Sequence, residues 1–426
     1  MDEEKKIILV TGGSGLVGNG LKSVIKTDGL SSYFIKTKKS FRVKWIFLSS
    51  KDGDLSDLYQ TELLFKEHRP THVIHLAAMV GGVFYNMKAN LDFFRKNMLI
   101  NDNVLQMCFK YNVQKVISCL SSCIFPHEIH SYPLTENMMH NGKPHISNFG
   151  YSYAKRMIDI MNQAYQDFFD KNEENRLFTS IVPCNVYGPH DNFDLEKGHV
   201  IPNLIHKAYL QRHSKREHEH PLRAGPIGQG PRPEREVGPS GPARRVHCDP
   251  ACPRPLRGGD FVASGPLDPA ELGGVRSTQG SISSSQAAQA RSVGIEEPFS
   301  QEFKLAGTGK ARRQFIYSTD LGKLLIWAIF NYEEREPIIL SVDEQDEISI
   351  HDVAQIILKL MNLDKQITYD DVSEIANKNL ESQDGQIKKT VSNAKLKKYL
   401  PDFKFTPIEI GITNTIEWFE NNSKIN

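Results

Sequence analysis

Short apolar runs recur along the first half of the chain, separated by stretches with helical spacing. Residues 7–10, Ile-Ile-Leu-Val, read as a buried strand, and residues 16–25 after them as a helix. Residues 44–48, 71–78, 115–120 and 177–183 repeat the strand pattern. Residues 90–111 and the stretch from 151 repeat the helical one. Strands alternating with helices through residue 190 predict an α/β fold with a doubly wound parallel sheet. Residues 191–210 and 303–426 predict a smaller C-terminal α/β region. It contains a helix at 321–330, a strand at 338–342, a helix at 350–361 and a closing helix from 408.

The helix at 90–111 is apolar on more than one face. Leu91, Phe94, Met98, Leu105 and Phe109 make one stripe, while Phe93, Ile100 and Val104 fall off it. Such a helix packs either against a second subunit as well as its own sheet, or wholly within one chain. A homodimer through helices near 91–111 and 151–168 is the expectation carried forward.

The pattern breaks at Gln211. Residues 211–300 hold twelve Pro, twelve Gly and eleven Arg to one Lys, and their only aromatics are Phe261 and Phe299. No period survives there, and such a segment buries too little apolar surface to offset its ordering entropy. Residues 211–302 are expected to be a disordered insertion. Its His247, Cys248 and Cys252 are too few for a zinc site, so no metal is expected.

Length changes the picture little: 426 residues allow two or three domains. A formal charge of +1 gives no reason to expect nucleic acid or a membrane surface as partner. No apolar run reaches the roughly 18–20 residues needed to span a bilayer. Six cysteines form no dense disulfide framework, so the expectation is a reducing, cytoplasmic setting.

Candidate chemistry begins directly after the first strand. Gly12, Gly15 and Gly18 stand in Gly-x-x-Gly-x-x-Gly spacing between a strand and a helix. Glycines there allow a tight turn and the approach of a pyrophosphate to backbone N–H groups at a helix N-terminus. This makes residues 1–190 a Rossmann-type dinucleotide-binding domain to which later segments return. After the second strand come Ser49, Ser50 and Lys51 in place of an acid that would bind a ribose hydroxyl. Hydroxyls and a lysine suit a 2′-phosphate, hence NADP(H), although Lys51 could equally be a solvated loop residue. Asp54 offers an acceptor near the adenine amine, and Asp57 is a helix N-cap candidate. Ala77, with its small neighbours at the third strand's end, lets a cofactor lie across it.

The fourth strand delivers Ser121 and Cys123, and Tyr151 and Lys155 follow one helical turn apart. A lysine ammonium there would lower the phenol's pKa and hold a nicotinamide ribose. Tyr151 could then move a proton as hydride moves to or from a carbonyl that Ser121 polarises. His199 sits in a polar loop after the sheet, an acid/base candidate by position although a lone histidine is more often structural. Arg312 and Arg313, beside a glycine turn, can pair with a diphosphate.

These stretches together resemble the extended short-chain dehydrogenase/reductase family, and within it the epimerase-reductases of GDP-4-keto-6-deoxymannose. The resemblance rests on residues 75–82, 121–126, 148–156, 188–193, 198–199 and 313–317. It implies a reductase triad at Ser121, Tyr151 and Lys155, and an epimerisation acid/base pair at Cys123 and His199. It implies substrate contacts at Lys207, Arg313 and Asp384, with NADPH as cofactor and a GDP-sugar as substrate. Two departures fall in the substrate region: Ala306 where the family pattern has a bulky aromatic, and the long segment from Gln211. Another nucleotide-sugar epimerase or dehydratase, or a nucleotide-binding homologue impaired by the insertion, are the competing readings.

Overall fold

Strand β1 (Glu4–Thr11) carries Ile8, Leu9 and Val10 with no exposed surface. A strand covered on both faces reads as a continuous apolar run, as an interior parallel strand should. In a computed structural model, which describes residues 4–27, 41–129, 131–219, 302–369 and 384–423, β1 lies inside a six-stranded sheet. The other strands are β2 (Phe41–Phe47), β3 (His72–His75), β4 (Lys115–Cys119), β5 (Leu177–Pro183) and, after the short strands below, β10 (Ile338–Leu340). The order is β10-β5-β4-β3-β1-β2, and every pairing is parallel. Strand order reverses at β1/β3, the place where open α/β sheets bind ligands.

Helices cover both faces. Helix α1 (Leu16–Thr27) packs against α7 (Ser318–Asn331), and α2 (Leu58–His68), α4 (Asn90–Lys110) and α5 (Phe149–Lys171) pack together, with α3 (Val83–Lys88) preceding α4. The α1–α7 contact is close enough that a Cβ on Gly20 would lie 2.4 Å from the Ser318 carbonyl oxygen. Asp57 caps α2, its carboxylate accepting from the Gln60 N–H at 2.9 Å.

A second hydrophobic cluster joins α6 (Val200–Glu219), α8 (Ile350–Leu360) and α10 (Ile408–Asn422) to short strands. Strand β6 (Asn185–Tyr187) pairs with β9 (Phe315–Tyr317), β7 (Glu302–Leu305) with β12 (Gln366–Tyr369), and β8 (Arg312–Arg313) with β11 (Ile348–Ser349). Helix α7, strand β10 and helix α9 (Ala394–Tyr399) return to the first cluster.

Two sequence expectations change. On α4 the core face takes Phe93, Ile100 and Val104, which lie off the apparent stripe, and Leu105 from it, while Leu91, Phe94 and Leu99 are exposed. The apparent stripe followed side-chain size, whereas packing against α5 and the sheet selects the core face. The segment expected to be disordered from Gln211 begins as helix, since α6 runs on to Glu219. Gln211 is buried and donates to the Glu302 carbonyl at 3.2 Å, and Arg212 pairs with Glu420. The rest of that segment, residues 220–301, lies outside the described residues.

Candidate active site

The glycine turn after β1 is shaped by contact. Gly12 has φ +67°, and a Cβ there would sit 2.8 Å from the Ala77 nitrogen. A Cβ on Gly18 would meet Gly13 Cα at 2.6 Å, and one on Gly13 would meet Phe47 Cβ at 2.7 Å. Gly15 differs: a Cβ there meets only the Gly12 oxygen, at 3.4 Å. The fold itself leaves that position open, at the N-terminus of a helix with no acidic residue in its first turn. An open glycine beside helix N–H groups fits the pyrophosphate of a dinucleotide.

A buried polar chain leads from this turn to α5. The N–H groups of Leu76 and Ala77 donate to Thr11 Oγ1 at 3.2 and 3.1 Å. Thr11 Oγ1 lies 2.8 Å from His75 Nδ1, and His75 Nε2 lies 3.2 Å from Asn101 Oδ1. Asn101 Nδ2 donates to the Ala154 carbonyl at 3.1 Å. Burial pushes the His75 imidazole down to about 3, helped by the Lys155 charge, so it is neutral. With Asn101 Nδ2 as donor, each hydrogen bond in the chain takes one direction only.

At the end of β2, Lys51 is exposed. Asp52, which the sequence reading passed over, folds back so that Ser49 N–H and Oγ donate to it at 2.7 and 2.8 Å. Those bonds hold its carboxyl below the usual range. Asp54 accepts from Ser56 N–H and Oγ at 2.9 and 2.7 Å, forming a local turn.

Beyond β4 the chain makes a 3₁₀ turn, Ser122–Ile124, that holds Ser121 and Cys123 together. Ser121 Oγ accepts from the Cys123 N–H at 3.3 Å, and the Ser121 hydroxyl acts to lower the pKa of the Tyr151 phenol. Cys123 is buried. Lys155 Nζ donates to the Cys119 carbonyl at 2.8 Å and stands 5.9 Å from the Tyr151 ring centre. Lys155 was expected to lower the phenol's pKa. Instead, burial first and then the Cys123 and Cys119 thiols push Tyr151 well up, against the Ser121 hydroxyl. Lys155 is not among the groups that shift the phenol, and burial lowers the pKa of its own ammonium. A Cβ on Gly150, just before Tyr151, would fall 2.1 Å from the Asn90 carbonyl oxygen, so α4 and α5 meet there without a side chain between them.

His199 arrives on a loop pinned by two glycines. A Cβ on Gly82 would sit 2.5 Å from the Gly198 oxygen, and Gly82 N–H donates to the Lys197 carbonyl at 2.9 Å. Beyond Gly82, Tyr85 meets Phe93 edge-on at 5.1 Å, and Phe93 meets Tyr151 at 6.3 Å. His199 Nδ1 lies 3.3 Å from Asp191 Oδ1.

On the other side, Leu134 N–H donates to the Thr390 carbonyl at 2.8 Å and the Tyr132 hydroxyl to that of Lys388 at 2.8 Å. Arg313 Nη2 donates to the Asp384 carbonyl at 3.1 Å. The Asp384 carboxylate holds the glycine turn, accepting from Thr308 N–H at 2.8 Å and Thr308 Oγ1 at 2.6 Å. Lys389 feels both Arg313 and Cys123, and burial with the Arg313 charge brings it down to about 8. Lys207 stands apart from these groups: its ammonium lies over the Phe303 ring and donates to the Lys304 carbonyl. Ala306 is exposed.

Sequence reasoning therefore missed Asp191, the Thr11–His75–Asn101 chain, Gly150 and Lys389. His75 and Asp191 stood inside the quoted motifs, but only the folded contacts give them partners.

Residues 8–222 match the NAD dependent epimerase/dehydratase family. The chain is 40% identical to GDP-L-fucose synthase of Dictyostelium discoideum, covering 98% of this chain and 96% of that protein. It is 39% identical to a probable GDP-L-fucose synthase of Drosophila melanogaster, covering 98% of each. Among solved structures it is similar to a GDP-L-fucose synthetase from Naegleria fowleri bound to NADP. That match has a TM-score of 0.68 and 34% identity, over 99% of this chain and 94% of that one. With that resemblance running the whole length of the sheet and the site, the chain belongs to the NAD dependent epimerase/dehydratase family, in its GDP-L-fucose synthase branch.

Proposed function

We propose that this chain converts GDP-4-keto-6-deoxy-D-mannose to GDP-L-fucose by 3,5-epimerisation and NADPH-dependent 4-reduction. The observation that carries the reading is the turn that binds Ser121 to Cys123, beside a Tyr151 phenol that senses both side chains. In this reading the turn beyond β4 supplies a thiol for proton transfer and one hydroxyl for a carbonyl oxygen, and the first turn of α5 supplies the second hydroxyl.

Gly12, Gly15 and Gly18 would hold the cofactor's pyrophosphate, with Lys51 toward the 2′-phosphate, Asp54 toward the adenine, Ala77 beneath the dinucleotide and Lys155 at the ribose. When bound, NADPH supplies the hydride for C4. The C4 ketone acidifies the hydrogens at C3 and C5. Cys123 and His199 act as the acid/base pair, one removing each proton and the other returning one on the opposite face. Ser121 and Tyr151 hold the enolate oxygen meanwhile. Tyr151 then protonates the C4 oxygen, a task suited to a phenol whose pKa burial raises. Arg313 and Lys207 pair with the diphosphate side of the substrate, and Asp384 acts through the Thr308 turn. The first hydrophobic core carries the cofactor half of the reaction and the second the GDP-sugar half.

The exposed Leu91, Phe94 and Leu99 on α4, with Ile160 and Phe168 on α5, support a homodimer through these helices. Among the described residues no helix is long and apolar enough to cross a membrane, and Cys108, Cys119, Cys123 and Cys184 are free thiols. A reducing cytoplasm suits both. A 4,6-dehydratase would be expected to carry an acidic pair beside the tyrosine, where this chain has Ser122 and Cys123.

NADPH oxidation with GDP-4-keto-6-deoxy-D-mannose, and identification of the sugar formed, tests the reading. Formation of GDP-L-fucose is expected. Absence of NADPH oxidation, or a 4-reduced sugar with unchanged C3 and C5, would overturn it.

A further inference from the structure

The loop that carries His199 buries a carboxylate. The Asp191 side chain is only 4% exposed. Its Oδ1 accepts from the Asn192 N–H at 2.7 Å and lies 3.3 Å from His199 Nδ1. Its Oδ2 is buried and has no hydrogen-bond partner. A buried carboxylate is costly unless a positive charge or several donors offset it. Among the described residues, the ion pair that Asp191 makes is with His199. The ring's other nitrogen, Nε2, makes no hydrogen bond to any described residue, and the His199 side chain is 43% exposed.

The loop is built to bring the two together. Asp194 Oδ1 accepts from Glu196 and Lys197 N–H, both at 2.9 Å, and the Asp194 carbonyl accepts from Gly198 N–H at 2.8 Å. A Cβ on Gly198 would collide with the Asn192 carbonyl oxygen at 2.3 Å. The His199 carbonyl accepts from Asn203 N–H at 3.1 Å in the first turn of α6. The turn bonds fix the backbone without help from Asp191 Oδ2, so the carboxylate's remaining partner is the ring.

We propose that Asp191 is a positioning residue for the epimerisation steps: it holds the His199 ring by Nδ1 and keeps it protonated, leaving Nε2–H to be delivered to the substrate carbon. This deepens the proposed function and rests on its assignment of His199 as half of the acid/base pair. The proton balance is closed. Cys123 gains the proton lost from C3 or C5, Nε2 gives one to the opposite face, and exchange with water restores thiolate and imidazolium before the next step.

Electrostatics agrees with the geometry. Burial pulls the His199 pKa down, but the hydrogen bond and charge of Asp191 outweigh it, and the net shift is upward. Of the other charged groups of the loop, Asp194 is engaged in its own turn, Lys197 lies over the Tyr85 ring at 5.7 Å, and Glu196 is exposed to solvent. Residues 79–82, packed against the loop, carry no charge.

The test uses Asp191→Asn and Asp191→Glu in the full chain with NADPH. Asn retains an acceptor for the Asn192 N–H, so the loop has what it needs to fold. Solvent deuterium exchange at C3 and C5 reports proton transfer. Reduction of the doubly epimerised 4-keto sugar reports hydride transfer separately. Asp191→Asn is expected to slow exchange about 10- to 100-fold, less than the roughly 10²–10⁴-fold loss of a general acid itself, while reduction changes by less than about threefold. The basic limb of the exchange rate against pH should move to lower pH, because only burial remains to act on His199. Asp191→Glu should restore part of the rate. Equal losses in exchange and reduction, or an unshifted limb, would make Asp191 a loop anchor only and overturn the proposal. His199→Asn separates the two readings: if it leaves exchange intact, the acid/base assignment fails. The His199 pKa, followed by NMR in wild type and Asp191→Asn, still reports whether Asp191 charges the ring.

Discussion

Lys155 Nζ donates a 2.8 Å hydrogen bond to the Cys119 carbonyl, tying the second turn of α5 to the last residue of β4. Two residues beyond that carbonyl stands Ser121, and one helical turn before Lys155 stands Tyr151. That bond ties α5 to the strand end that carries Ser121, and so links the two residues proposed to hold the substrate carbonyl. Tyr151→Phe should reduce hydride transfer by on the order of 10²–10⁴-fold, the usual loss of a general acid. Solvent exchange at C3 and C5 should persist, since Ser121 still holds the enolate oxygen. Reduction at a near-normal rate in this variant would contradict the role given to Tyr151.

Gly15 and Gly150 should respond oppositely to alanine. Gly150→Ala forces a Cβ into the Asn90 carbonyl, which is backbone and cannot swing away. Destabilisation of about 1–3 kcal/mol or more is expected, as for other overpacked sites, with Tyr151 displaced. Gly15→Ala meets no such contact and should melt like wild type, yet bind NADPH more weakly because its methyl occupies the pyrophosphate's approach. Thermal melts and cofactor titrations of both variants decide this.

Lys51→Ala should raise the KM for NADPH by up to about fivefold, the size of one exposed charge pair, and leave NADH use unchanged. The difference should shrink at high salt, since exposed charges are screened. Equal effects on both cofactors would show that Lys51 is only a solvated loop residue.

Stability should fall on mild acidification. Burial pushes His72 and His75 down to about 3, with Lys6 and Lys115 adding to the effect at His72 and Lys155 at His75. Both stay neutral in the native state while the unfolded chain takes up protons below its ordinary histidine pKa of about 6.5. Their contribution is therefore complete above about pH 6.5 and is lost as pH falls toward 3, at up to about 1.4 kcal/mol per pH unit for each. Urea unfolding between about pH 6 and 5 should show this slope, and His72→Gln should remove about one proton's worth.

Leu91→Arg with Leu99→Arg should yield a monomer, because both side chains are exposed apolar residues on α4. A stable dimer buries about 1,600 Å² in total, and charges set in the middle of it would be stranded. Light scattering after gel filtration is the check, and a monomeric wild type at micromolar concentration would end the dimer proposal.

The sequence by itself determined the sheet and the cofactor end of the site. Interior parallel strands are apolar throughout, as Ile8, Leu9 and Val10 are, and the glycine spacing after them has few structural uses, so local pattern was enough. Ser121, Cys123, Tyr151 and Lys155 were legible for the same reason: one turn and one helix hold them at fixed spacing. Tertiary structure decided what depends on partners distant in sequence. Which face of α4 is core follows from α5 and the sheet, not from the periodicity of Leu91 and Phe94. The direction of the Tyr151 shift follows from burial, which no spacing reveals. Asp191 became visible only when its loop folded back on His199, because a carboxylate's meaning depends on whether water or protein surrounds it.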